Sequence, residues 1–113
     1  MDKVEQYEQI VIRLLNDYAT AWEDPRQPIK TQVVLDRTSK HYQLIRLGWR
    51  NSEEYVHNCL FHLDIVEGKI WIQENRTDIS MAEELVNEGV DKKDIVLGML
   101  PHALREDSEY ASA

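Results

Sequence analysis

The chain has 113 residues, with 13 Lys and Arg against 21 Asp and Glu and a formal charge of −8. That length suits a single domain around one core, and that sign argues against a surface that grips nucleic-acid phosphates. The basic pairs Arg46 with Arg50 and Lys92 with Lys93 stand isolated among acids. The lone Cys59 excludes an intramolecular disulfide, and no apolar run is long enough to cross a bilayer, so a soluble, cytoplasmic protein without direct nucleic-acid or membrane binding is expected.

In chain order, Val4, Tyr7, Val11, Leu14, Tyr18 and Trp22 recur at spacings of three and four and predict an amphipathic helix over 2–22. Asp2 is its expected cap, with Glu5 three residues on. Pro25 and Pro28 forbid continuation, because each lacks an N–H and pushes its predecessor toward extended backbone. Four strands are then predicted, over 32–36, 42–49, 58–66 and 69–73, from branched residues and alternating polarity. Glu67-Gly68 reads as a two-residue hairpin turn, with longer turns at 37–41 and 50–54. Connections this short leave only antiparallel neighbours, so the middle of the chain is a meander.

A second helix is predicted after the sheet, capped by Thr77 or Ser80, striped by Met81, Ala82, Leu85 and Val86, and stopped at Gly89. Asp91 starts one further turn through Asp94, 95–99 is a short extended segment, and the tail 105–113 is expected to be mobile. The predicted fold class is therefore α+β: an N-terminal helix, a four-stranded antiparallel meander, a C-terminal helix and a short extended segment within one domain, 1–113.

Strict alternation divides the sheet into two faces. Ile45, Leu47, Cys59, Phe61, Leu63, Ile65, Ile70 and Ile72 form the face for helices to cover. Tyr42, Leu44, Arg46, Asn58, Leu60, His62, Asp64, Trp71 and Gln73 fall on the other. Tyr42, Leu44, Leu60 and Trp71 would make an apolar patch there, either a homo-oligomer face or a seat for Ile95, Leu97 and Met99.

His62 and Asp64, two apart on a strand, share a side, as metal ligands would. A catalytic zinc needs a third protein ligand, and alternation sends His57 to the opposite face, so no metal or cofactor is expected. Glu67-Gly68-Lys69 with Asp36 and Asp64 was weighed as an acid-x-Lys nuclease set, but a hairpin turn accounts for the trio. No phosphate-binding glycine loop occurs, and no catalytic residue is expected.

One stretch carries a resemblance. Trp71-Ile72-Gln73, Thr77-Asp78 opening a helix, Gly89 as its stop and Asp94-Ile95-Val96-Leu97-Gly98 as the exit resemble the XisI family, as do Tyr18 and Trp22 at the end of the first helix. The chain departs from the family pattern at Glu74-Asn75 and Met99-Leu100-Pro101. The resemblance implies a controlling factor for excision of a cyanobacterial DNA element that interrupts a nitrogen-fixation ferredoxin gene, a protein that is not an enzyme and works with a XisH-like, nuclease-like partner. The candidate partner contacts are Trp71, Gln73, Arg76, Pro101 and Arg105. The alternatives are a metal-dependent nuclease or DNA-binding accessory subunit, and an immunity-type protein that neutralises a nuclease-like neighbour.

Overall fold

The computed structural model describes residues 2–113, leaving Met1 of the expected 1–113 domain outside. The first helix, α1 (Lys3–Ala21), starts where expected: the Asp2 carboxylate accepts the Glu5 amide at 2.8 Å. This satisfies one of the orphan N–H groups of the first turn. Its buried side is Tyr7, Val11, Leu14 and Leu15, with Glu8 among them. Leu15 is absent from the simple three-and-four stripe and is completely buried.

The strands β1 (Lys30–Asp36), β2 (His41–Trp49), β3 (Tyr55–Val66) and β4 (Lys69–Asn75) form the antiparallel meander. Each runs a little longer than expected. The hairpin between β3 and β4 places Glu67 at φ 51° and Gly68 at φ 77°. Two successive positive angles give a turn whose twist matches that of the flanking strands.

The second helix, α2 (Met81–Asn87), takes the Ser80 cap, its hydroxyl accepting the Glu83 amide at 3.3 Å, and Gly89 follows it at φ 104°. A 3₁₀ turn over Lys92–Asp94, capped by Asp91, leads into β5 (Ile95–Val96), which lies parallel to β4 and completes the order β1-β2-β3-β4-β5. This parallel partner is compatible with the short-loop argument, because α2 supplies the crossover that parallel return needs. A further helix, α3 (His102–Glu106), was not anticipated.

The tail expected to be mobile is instead docked. The Ala111 amide donates to the Ile95 carbonyl at 2.9 Å, Ala111 is buried, and the Lys69 ammonium donates to the Ala113 carbonyl. The missed signal is backbone pairing, since Ala111 bridges Val96 regardless of its small side chain.

The largest correction concerns the faces. Leu44 pairs with Phe61 but Ile45 with Cys59, so Leu60 is an extra residue on β3. A bulge breaks the period of two and moves every later side chain to the opposite face. Tyr42 and Leu44 consequently join Phe61, Leu63 and Ile72 in the core under the helices, and Leu60 joins them. Ile45, Leu47 and Cys59 lie outside that cluster, on the second face. The proposed homo-oligomer patch is thereby dismantled, because Tyr42, Leu44 and Leu60 are all buried within the protein and only Trp71 remains half-exposed.

Candidate functional site

The second face of the sheet carries two kinds of surface. Toward one end the rings of Trp49, Tyr55 and His57 adjoin in turn, with centroids 5.1 Å and 6.5 Å apart, and Trp49 and Tyr55 are exposed. Toward the other, at the register positions where His41 faces Asp64 and Asp64 faces Trp71, lies a polar cluster.

Asp64 is the centre of that cluster and is 8% exposed. Its Oδ1 meets His41 Nδ1 at 2.7 Å and His62 Nε2 at 2.8 Å, while its Oδ2 accepts Gln73 Nε2 at 3.2 Å. A second bulge lies at this last contact: His62 pairs with Glu74 and Leu63 with Ile72, leaving Gln73 as the extra residue on β4. Burial alone would raise the Asp64 pKa, but the hydrogen bonds from His41, His62 and Gln73 outweigh it and hold the carboxyl below its usual range. The hydrogen bond to Asp64, then its charge, raises the pKa of His41.

His57, the residue considered earlier as a third ligand, is not in the cluster. The Leu60 bulge returns it to the same face as His62, but it pairs opposite Leu47, far along the strand from His41. His41 takes its place from the neighbouring strand. The signal was obscured because His41 reads as the end of a turn and its pairing with Asp64 depends on the register of β2 against β3.

The C-terminal segment covers the β4 edge of this face. Gly98 packs so closely that a Cβ there would stand 2.6 Å from Gln73 Oε1 and 3.0 Å from Trp71 Cε3. The Arg105 guanidinium lies 5.2 Å from the centre of the Trp71 ring, Arg105 Nη1 donates to the Ser112 carbonyl at 2.9 Å, and Arg105 Nε is buried without a protein partner. Pro101 opens α3 beside them and is exposed. Four of the five candidate contacts, Trp71, Gln73, Pro101 and Arg105, thus belong to one neighbourhood of β4 and the C-terminal segment.

Arg76 does not. It pairs with Glu74 at 2.8 Å and lines a cleft of about 470 Å³ with Trp22, Arg46, Leu60 and Asp78, where α1 ends. The nuclease set fails to converge as well: the Asp36 carboxylate accepts the Thr38 and Ser39 amides, and Lys69 is engaged by the chain end. Cys59 is half-buried, its thiol donating to the Phe61 carbonyl at 3.2 Å, and burial pushes its pKa up, which leaves little thiolate.

On these grounds the molecule is an α+β protein that keeps α1 and α2 on one face of a five-stranded sheet and a carboxylate–imidazole cluster on the other. The family described as XisI protein matches residues 1–112, and the chain belongs to the XisI family. A XisI-like protein from Anabaena variabilis ATCC 29413 has a similar structure, with TM-score 0.90 and 38% identity over 99% of this chain and 100% of that one. The fdxN element excision controlling factor XisI of the same organism is similar over the same shares, with TM-score 0.86 and 25% identity. No curated protein matches. Members of the family are non-catalytic accessory factors, and the expectation that this chain is not an enzyme rests on that membership. Among the described residues, no helix is long and apolar enough to cross a membrane.

Proposed function

We propose that this protein is an accessory factor in programmed DNA-element excision that acts in the cytoplasm by binding a XisH-like, nuclease-fold partner. Family membership over nearly the whole chain carries the reading, since one similar structure is that of an excision controlling factor. The chain's acidity supports a protein partner over direct DNA contact, because a field of this sign repels phosphates unless a basic patch overcomes it. Trp71, Gln73, Pro101 and Arg105 are the proposed contact group. Trp and Arg are among the side chains that dominate binding energy at many interfaces, and Trp71 and Arg105 lie side by side here. Arg76 is a separate candidate because it lines a different surface.

The test is co-purification with a XisH-like protein from the same organism. A stable complex that Trp71→Asp weakens, with the variant still folded, is expected. Two folded proteins that form no complex at micromolar concentrations would remove the proposal.

A further inference from the structure

We infer that His41, His62 and Asp64 form a binding site for one divalent transition-metal ion of the zinc class, held between β2 and β3 on the face opposite α1 and α2. The ligand atoms of the three residues all lie within 4.8 Å of one another. Both imidazoles direct a ring nitrogen at the same carboxylate oxygen, one through Nδ1 and the other through Nε2. That convergence gathers three ligand atoms of metal-binding type at one place on the surface.

The donor types select the metal. Two imidazoles and one carboxylate suit zinc and its late first-row neighbours, whereas magnesium and calcium favour all-oxygen sets. Three protein ligands leave a position for water or another donor, as at open zinc sites. Tetrahedral ligands about 2.0–2.2 Å from zinc lie about 3.3 Å apart, against the 2.7 and 2.8 Å separations that hydrogen bonding gives here. Entry of an ion therefore needs each imidazole to draw back from the carboxylate by about half an ångström, and the two imidazole nitrogens, which lie within 4.8 Å of each other, to settle at the same spacing. The His41 side chain is 53% exposed and His62 29%, so both have room to do so, and His41 opens the site to solvent.

The surroundings also resemble a metal site's support. Gln73 fixes the second oxygen of Asp64, which orients the first toward the imidazoles. Asp64 and His62 stand on β3 and His41 on β2, and a paired sheet holds ligands more firmly than loops do. Gln73 stands at the β4 bulge, a feature over-represented beside functional sites. The negative balance of the chain further favours a cation.

The experiment is a cobalt(II) titration of the full chain after chelator treatment, followed in the visible spectrum and by calorimetry, then zinc competition. One cobalt per chain, with the absorption of a four- or five-coordinate ion that zinc abolishes, is expected. His41→Gln and His62→Gln should each lose more than about a hundredfold in affinity and Gln73→Leu about tenfold, because removal of a ligand should exceed the loss typical of its supporting residue. His57→Gln, outside the cluster, should bind as the parent does. Circular dichroism of each variant separates loss of a ligand from loss of the fold, and the exposed His41 carries the test if Asp64→Asn does not fold. A spectrum indistinguishable from free cobalt, or equal affinity in the parent and His41→Gln, would overturn the site and leave a hydrogen-bonded trio.

Discussion

Two buried carboxylates sit on opposite faces of the sheet, and their company differs. Glu8, 5% exposed, projects from α1 into the core, where it accepts hydrogen bonds from the Tyr42 hydroxyl, from Arg37 at 3.0 Å and from Lys40 at 3.4 Å. Asp64 on the other face is surrounded by two imidazoles and an amide. Fixed cations and a hydroxyl make Glu8 a tie between the helix and the β1–β2 hairpin. Imidazoles can exchange a proton for a metal, so Asp64 is the centre of a site. The same contrast runs through both surfaces: the core face is closed by packing, and the second face keeps groups that have more to bind.

The deepest break in that contrast would come from the core. Phe61 is fully buried and lies against Tyr18 and Trp22 at centroid distances of 5.7 and 6.2 Å. Phe61→Ala should cost about 3–5 kcal/mol in urea unfolding, the range for a large ring removed from a packed core. A loss no greater than that of a surface substitution would contradict the face assignment.

Glu8→Gln should cost about 2 kcal/mol, since it weakens hydrogen bonds made to a charged acceptor. Burial would raise the Glu8 pKa, but the bond from Tyr42 and the partners Arg37 and Lys40 lower it on balance. A depressed folded value means that its stabilisation is fully present above the ordinary carboxylate pKa and is lost as the pH falls through the lower folded value. The parent should therefore lose stability below about pH 4.3 more steeply than Glu8→Gln, and parallel acid limbs would show that Glu8 is not such a tie.

A smaller effect sharpens the account of the β4 edge. Gly98→Ala should cost about 1–2 kcal/mol, because the added methyl meets Gln73 and Trp71 within a packed contact. The same variant should speed hydrogen exchange at Ala111, whose amide ties the chain end to Ile95. Unchanged exchange would mean that the tail docks independently of Gly98. Smallest of all, Trp49→Ser should change stability by no more than about 0.5 kcal/mol, as expected of an exposed residue. A cost comparable to that of Phe61→Ala would erase the distinction between the faces.

Much of the fold was legible where the cause is local. Asp2, Ser80, Asp91 and Glu67-Gly68 each act through backbone groups a few residues away, and each capped or turned the chain as expected. The core face of Phe61, Leu63, Ile65, Ile70 and Ile72 was legible from alternation, but the placing of Tyr42, Leu44 and Leu60 was not, because the bulge at Leu60 is a relation between two strands and neither strand shows it by itself. The site followed the same division. His62, Asp64 and Gln73 were visible on one side of the sheet, whereas His41 reached them through register. Trp71 and Arg105, by contrast, were both candidate partner contacts and meet in space.

The proposal that a XisH-like protein docks at the C-terminal edge of the second face is tested most directly by amide hydrogen exchange of this chain with and without that partner. The account predicts new protection over 71–73 and 102–105, little change along α1, and loss of the protection in Trp71→Asp. Protection confined to α1, or none at concentrations where both proteins are folded, would contradict it.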